Sequence, residues 1–337
     1  MPVSNRRRGP QLTSIVLLAL IACFYVGLGF PIPSGSPVQT DPNYGLVEVT
    51  SASSKYAVAT FLCENYVENA PDNYFTGVRM LNYQLQHADA TRLNRTDVMF
   101  LVMVTKAVTA AKRMQLEREG ATVVEVKDVP LPWWIYSGVK KWKDQFTKLR
   151  LYEFEDYDRI VFIDSDTLIT RPIDTMFDSL MLQTPAKTHL NNTAQIRNDE
   201  HKLPAQYVFG ARSDNALAGE RDHPYPPTPS SVFSAGFWVA APSREMFKYL
   251  MSVMKRWRRF DPFTMEQSLL NYAFRREGPM PWTELDPEWS ATWPNGRDVE
   301  ARVATLHEKL WVVGPDDLRA RWEGVRLEME AFYEGKG

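Results

Sequence analysis

Asp164 and Asp166 are separated by one residue and follow an unbroken apolar run, Ile160, Val161, Phe162 and Ile163. Four consecutive β-branched or aromatic residues predict a strand buried on both faces, as in the middle of an α/β sheet. Side chains alternate along extended chain, so the two carboxylates point one way and Ser165 the other. Paired hard oxygen ligands at the carboxyl end of such a strand can hold a divalent metal against a diphosphate. A strand followed by an Asp-rich turn accounts for the same three residues without any chemistry.

The elements before this stretch are those of a nucleotide-binding half. Residues 56–63 predict a first strand. Pro71-Asp72 opens a helix with Asp72 as its N-cap, and Tyr74, Val78, Leu81 and Leu85 give it one buried face. Residues 97–104 predict a second strand, 106–119 a second helix stopped by Gly120, and 122–126 a third strand. This alternation predicts right-handed crossovers and a mostly parallel sheet. A Trp-bearing loop, 130–136, and a helical stretch, 142–154, lead into the strand that carries the aspartates.

After Asp166 the pattern changes. Residues 183–231 are rich in Asn, Pro, Asp and Gly, with one strand expected at 207–211. Loops of this kind are where ligand recognition is expected. Residues 232–240 predict another strand. Ser243 caps a helix with Phe247, Leu250, Met254 and Trp257 on one face. Thr264 begins a further helix, and Gln267, three positions on, completes a capping box. Residues 292–298 predict a second loop and 302–313 an extended segment containing His307. Asp316 or Asp317 caps a C-terminal helix that packs across the domain. No internal repeat is visible.

The totals are those of a globular chain of 337 residues, 44% hydrophobic and 24% charged, with ten Trp. Net charge is −2, and Arg6, Arg7 and Arg8 are the only charges in the first thirty residues. The remainder has 36 basic against 41 acidic residues, which points away from a nucleic-acid partner. Cys23 and Cys63 are the two cysteines, so neither an internal disulfide nor a zinc cluster is expected. Residues 12–30 carry no charge and, as a helix, span roughly 30 Å, one bilayer core. The expected organisation is a cytoplasmic tail (1–11), a transmembrane signal anchor (12–30), a stem (31–54) and a catalytic domain (55–337) on the far side. A cleaved signal peptide is the rival account of the apolar run. Asn94-Arg95-Thr96 and Asn191-Asn192-Thr193 are glycosylation sequons and agree with a lumenal placement.

Five pieces of the chain occur in a recognisable order. Thr147-Lys148-Leu149 comes first. Asp164-Ser165-Asp166-Thr167 follows, then Arg171-Pro172-Ile173-Asp174. Phe233-Ser234-Ala235-Gly236-Phe237 is third and Glu266-Gln267-Ser268-Leu269-Leu270-Asn271 fourth. His307 with Lys309 and Trp311 closes the series. In this the chain resembles the glycogenin-like retaining glycosyltransferases, glycosyltransferase family eight, over residues 56–311. The resemblance implies an α/β GT-A fold, Rossmann-like, with a mostly parallel central sheet. It also implies Mn²⁺ and a nucleotide-sugar donor, usually a UDP-sugar. Carried onto matching positions, Asp164, Asp166 and His307 would be the metal ligands. Two carboxylates and an imidazole suit Mn²⁺ better than Mg²⁺, because nitrogen is the softer ligand. The donor would be held by Lys148, Ser165, Ser234, Gly236 and Lys309, the last acting on the phosphates as a point charge. Thr60 and Tyr74 fall where the family binds uracil and ribose, although a strand threonine and the start of a helix face explain them as well. Asp214, Glu266 and Gln267 are the candidate catalytic positions, and a turn aspartate and a helix cap are the local accounts of Asp214 and Gln267.

Departures from the family pattern touch the same places. Ser234 and Ala235 replace Asn and Ser, Glu266 replaces Asp, Leu310 replaces Pro, and a Gly between His307 and Lys309 is missing. The implied reaction is transfer of a hexosyl unit with retention, to a carbohydrate, lipid or protein-linked acceptor, in the Golgi or another secretory-pathway membrane. A same-face route has the leaving phosphate take the acceptor proton. A double displacement needs a carboxylate beneath the anomeric carbon, and Asp214 or Glu266 could serve. Two other readings use the same residues. One is a membrane-anchored sugar-binding protein without catalysis. The other is a nucleotidyltransferase, for which no Gly-rich phosphate loop is seen near the first strand.

Overall fold

The computed structural model describes residues 55–64, 71–136, 140–215 and 221–335. The expected tail, anchor and stem lie outside these residues. Among the described residues no helix is long and apolar enough to cross a membrane.

The first half winds as expected: β1 (Tyr56–Leu62), α1 (Asn73–Gln86), β2 (Val98–Val104), α2 (Ala110–Arg118) and β3 (Thr122–Glu125). Next come α3 (Lys140–Asp144), a 3-10 helix (Gln145–Glu153), β4 (Arg159–Ile163) and β5 (Thr167–Ile169). The segment after them holds α4 (Leu180–Gln183), β6 (Ala186–Lys187), β7 (Gln206–Tyr207) and β8 (Phe209–Ser213). The chain then continues with β9 (Phe233–Ala240), α5 (Arg244–Met254), α6 (Glu266–Ala273), β10 (Thr283–Glu284) and β11 (Ser290–Thr292). It ends with α7 (Gly296–Glu300), β12 (Thr305–His307) and α8 (Asp316–Glu334). The main sheet runs β10-β8-β9-β4-β1-β2-β3. Four of its six pairings are parallel; β9 runs antiparallel to both β4 and β8. A mostly parallel half extended by antiparallel strands fits the GT-A-like arrangement.

β4 is buried on both faces, as its composition predicts. Ile160 and Phe162 pack on one side with Tyr152, Trp238 and Leu250. Val161 and Ile163 pack on the other with Val78, Leu81 and Phe177. Trp238 stacks on Phe162 at 5.3 Å and on Tyr152 at 5.9 Å, which fixes the floor beneath the two aspartates. α8 crosses behind α1, burying Leu318, Trp322 and Met329 against Met80.

Several local expectations fail for identifiable reasons. α2 starts at Ala110, not residue 106, because the Thr109 hydroxyl accepts from Lys112 N–H and sets the cap there. The stretch 142–154 is mainly 3-10 helix rather than α-helix. The expected strand 207–211 is split, β7 pairing with β6 while β8 enters the main sheet. α5 ends at Met254, so Trp257 is not on its buried face and stands exposed. α6 has Met265 at its N-cap, at φ 50, and Thr264 forms no capping box; its hydroxyl meets that of Ser268. The loop 292–298 contains a true capping box instead, between Asn295 and Asp298. At α8 the cap is Pro315, and Asp316 and Asp317 occupy the first turn, where the helix dipole favours them.

α1 lies close against the aspartate turn. A Cβ on Gly77 would sit 2.0 Å from the Ser165 carbonyl oxygen, so only glycine fits. Gly324, in the middle of α8, has nothing within 4 Å of its would-be Cβ. Two helical glycines should therefore respond oppositely to alanine. Gly77→Ala should destabilise by about 2 kcal/mol through overpacking. Gly324→Ala should stabilise by about 0.5–1 kcal/mol through helix propensity. Denaturant unfolding of the two variants checks both signs.

Candidate active site

Asp164 and His307 are 143 positions apart, and backbone pairing brings them together. The Asp164 N–H donates to the Gly236 carbonyl at 2.9 Å, which ends β4 against β9. Directly after Asp166 the chain enters β5. β5 pairs antiparallel with β12, setting Thr167 opposite His307. The Glu308 N–H donates to the Asp166 carbonyl at 3.0 Å. β12 is three residues long, shorter than the extended segment expected, but it is placed where it seats the histidine.

His307 Nε2 lies 3.0 Å from Asp166 Oδ1 and 3.9 Å from Asp164 Oδ2. One ligand atom from each of the three residues falls within 4.8 Å of the others. Two carboxylate oxygens and an imidazole nitrogen at that spacing fit a single divalent cation. The ring needs space that only glycine leaves: a Cβ at Gly236 would come within 2.1 Å of His307 Cε1. Ser234 Oγ sits 3.5 Å from His307 Nδ1 and accepts from the Gly236 N–H. With Nδ1–H donated to Ser234, Nε2–H of the protonated ring donates to Asp166, and loss of that proton leaves Nε2 as a lone pair for a metal.

Lys148 is buried between two carboxylates, 2.6 Å from Asp164 Oδ1 and 2.8 Å from Glu266 Oε1. Burial would lower its pKa, but the two carboxylates outweigh it and hold the ammonium charged. Burial raises the Glu266 carboxyl, Asp164 adds to the rise, and Lys148 only partly offsets it. Burial also opposes ionisation of Asp166, yet His307, Lys309 and Lys148 hold it below the usual carboxylate range. His307 is pushed up to about 8, since Asp166, Asp164 and Asp214 outweigh the effect of burial on the ring.

A cleft of about 390 Å³ opens over these groups. Tyr74, Lys148, Asp164, Ser165, Asp166, Gly236, Glu266, Gln267, His307 and Lys309 all line it. Thr60 does not. It is fully buried in β1, and the strand reaches the cleft only at Phe61 to Glu64. Asp214 and Ser234 are also set back from the wall. Asp214 is buried and accepts from Gln267 Nε2 at 3.1 Å. The Gln267 Oε1 accepts from the Ala235 N–H at 2.9 Å, so both ends of its amide are engaged. Tyr74 is half-buried, with Trp311 edge-on at 5.2 Å.

Sequence reasoning missed other parts of the wall. Glu64 and Asp72 line the cleft together, bridged by Lys112 of α2. An acid directly after the apolar run of β1 was a usable signal for Glu64. Phe263 and Met265 also line the cleft and follow no period that would mark them. Gly77 was visible as a glycine inside a helical pattern, a feature with a packing reason when it recurs at a site.

No family model matches the chain. It is 29% identical to the uncharacterized protein C4C3.09 of Schizosaccharomyces pombe over 288 residues, covering 78% of this chain and 76% of that one. It is 23% identical to galactinol synthase 4 of Arabidopsis thaliana over 305 residues, 88% of this chain and 86% of the relative. Among solved structures it is similar to the apo-form glycosyltransferase GlyE of Streptococcus pneumoniae TIGR4. That match has a TM-score of 0.49 at 13% identity, over 84% of this chain and 64% of the other.

A metal takes the neutral imidazole, whereas the free site holds His307 protonated below about 8. Binding of a divalent cation at pH 7 should therefore release close to one proton. Apparent affinity should weaken about tenfold per pH unit on the acid side of that pKa. Calorimetry in buffers of different ionisation enthalpy measures the proton count. His307→Ala should lose both the release and most of the affinity; unchanged release would assign the proton to another group.

Proposed function

We propose that the chain is a retaining glycosyltransferase that moves a hexosyl unit from a UDP-sugar to an acceptor hydroxyl. The acceptor would be carbohydrate, lipid or protein-linked, and Asp164, Asp166 and His307 would hold Mn²⁺. The observation that carries this reading is the meeting of those three side chains on the wall of one cleft. Similarity to galactinol synthase 4 over most of both chains supports it.

When bound, the cation supplies Lewis-acid stabilisation to the departing diphosphate. The chain's own groups do the rest. Lys309, exposed at the cleft edge, offers a positive charge to phosphate oxygens. Lys148 keeps Asp164 and Glu266 apart in a fixed arrangement and is itself committed to both. Glu266 reaches the cleft with one buried oxygen, Oε2, lacking a hydrogen-bond partner, and suits a sugar hydroxyl as donor. Gln267 orients that end of α6 through Ala235 and Asp214. Asp214 is tied to Gln267 and set back from the cleft wall, whereas Glu266 keeps Oε2 unpartnered at the cleft, so Glu266 is the one of the two that a double displacement would use.

Residues 12–30 would hold the chain in a secretory-pathway membrane, such as the Golgi, with the catalytic domain lumenal. The arginines before the run support this orientation. So does the exposure of Asn94 and Asn191, the sequon asparagines. Mn²⁺-dependent release of UDP across a panel of UDP-sugars tests the reaction. Asp166→Ala should lower turnover by about 10²–10³-fold, the range for losing one charge-stabilising group. The product should keep the donor's anomeric configuration. Inversion, or silence across the panel with intact UDP binding, would refute the assignment.

A further inference from the structure

Among the described residues, four aromatic side chains stand well out in solvent: Trp133 (85% exposed), Tyr136 (81%), Trp257 (64%) and Phe263 (68%). They do not scatter. Trp134 packs edge-on against Phe260 at 5.2 Å, which joins the loop before α3 to the loop after α5. α3 completes the join: Lys143 Nζ lies 5.4 Å above the Tyr136 ring, and Trp142 lines the same cleft as Phe263. Phe263 lines the cleft, and these contacts bring the segments carrying Trp133, Tyr136 and Trp257 together beside it as a rim. Trp257 stands out because α5 stops at Met254 and the backbone turns at Arg258, φ 53.

The same rim is basic. Lys255, Arg256 and Arg258 are exposed, and the Arg258 guanidinium lies 5.0 Å above the Trp257 ring. The acidic groups nearby are Asp144, Asp261, Asp199 and Glu200; Asp199 is engaged by Arg259 at 2.8 Å and Arg256 at 3.6 Å, and Glu200 by Arg259 at 2.5 Å, which leaves Lys255 and Arg258 as the exposed cations. The rim carries positive charge although the whole chain is net −2. Exposed Trp and Tyr interleaved with Lys and Arg are costly facing bulk water alone. At a lipid–water boundary the rings enter the headgroup layer, and the cations meet anionic headgroups.

We propose that this rim docks on anionic phospholipid in the bilayer leaflet that the catalytic domain faces. The docking stands on the surface alone and does not depend on sugar transfer. Its consequence does: if the cleft transfers sugar, its mouth faces the headgroup layer, and a lipid-linked acceptor is the class best placed to enter.

Hydrogen exchange of the full chain, with nanodiscs of phosphatidylcholine alone or with added phosphatidylserine, tests the contact. Amides of 131–136 and 255–263 should slow in the anionic discs by about fivefold or more, the equivalent of one basic side chain at the surface. Lys255→Glu with Arg258→Glu should abolish that difference, and Trp133→Ser with Trp257→Ser should weaken it. Raised salt should do the same. UDP release from soluble donor should stay unchanged in both double variants, which separates this outcome from failure of the transfer reading. Equal exchange in the two discs overturns the proposal. So does protection that appears only at high protein concentration without lipid, the mark of a second copy. Protection given only by a soluble saccharide would likewise overturn it, as a sugar-stacking subsite.

Discussion

The site depends on a three-residue pairing, β12 against β5. Thr305, Leu306 and His307 stand opposite Ile169, Leu168 and Thr167, and the Glu308 N–H to the Asp166 carbonyl carries the pairing on to the aspartate. So short a ladder needs support on its other edge. Gln84 of α1 supplies it, its amide donating to the Ile169 carbonyl at 2.6 Å and accepting from the Ile169 N–H at 3.2 Å. A buried side-chain amide thus stands in for a further strand at Ile169. Arg171 closes the far end by donating to the Arg302 carbonyl and to Glu288. β11 pairs along the outer side of β12. The meeting of His307 with the two aspartates is therefore set by α1, β5, β11 and β12 together.

Charge balance explains why so many ionisable groups tolerate burial in one place. Asp164, Asp166 and Glu266 bring three carboxyls, and Lys148 alone is a permanent counter-charge buried among them. A protonated His307 offsets one more, consistent with its elevated pKa. Exchanging that proton for a divalent cation would bring the cluster close to neutrality. Lys309 would then be left at the rim for an incoming anion. Removing Lys148 from such a cluster leaves uncompensated carboxylate charge out of water, at a cost of about 3–5 kcal/mol. Lys148 is on this view a structural part of the site as much as a contact for a ligand.

Much of this was legible in the chain, and what was not has physical causes. The run Ile160 to Ile163 could only be a doubly covered strand, and the period-2 rule placed both carboxylates on one side. The first three strands and two helices follow from alternation of period and from the cap at Asp72. That His307 meets the aspartates was legible through family resemblance; nothing local marks it, because its partner strand is supplied by chain far away. Thr60 was placed too early on β1, since the sequence cannot say where a buried strand emerges into a cleft. The ends of α2, α5 and α6 were misread for a shared reason. Each is set by one backbone or hydroxyl contact that periodicity does not register.

Gln267 shows how a local rule can mislead at a site. Three positions after Thr264 it completes a capping-box pattern, yet α6 starts from Met265 at φ 50 and its amide turns across to β9. Asn271, one helical turn on, exchanges two hydrogen bonds with the backbone of Phe233. Amide side chains thus attach α6 to β9, and they fix its rotation as well as its distance. The role at 267 demands an amide: an acceptor for the Ala235 N–H and a donor for the buried Asp214 carboxylate at once. A glutamate of the same shape would set a second carboxylate against Asp214 and lose the donor. With α6 held in that register, Glu266 is the side chain of the helix start that reaches both Lys148 and the open cleft. Its extra methylene relative to aspartate then sets how far that carboxylate extends toward the cleft.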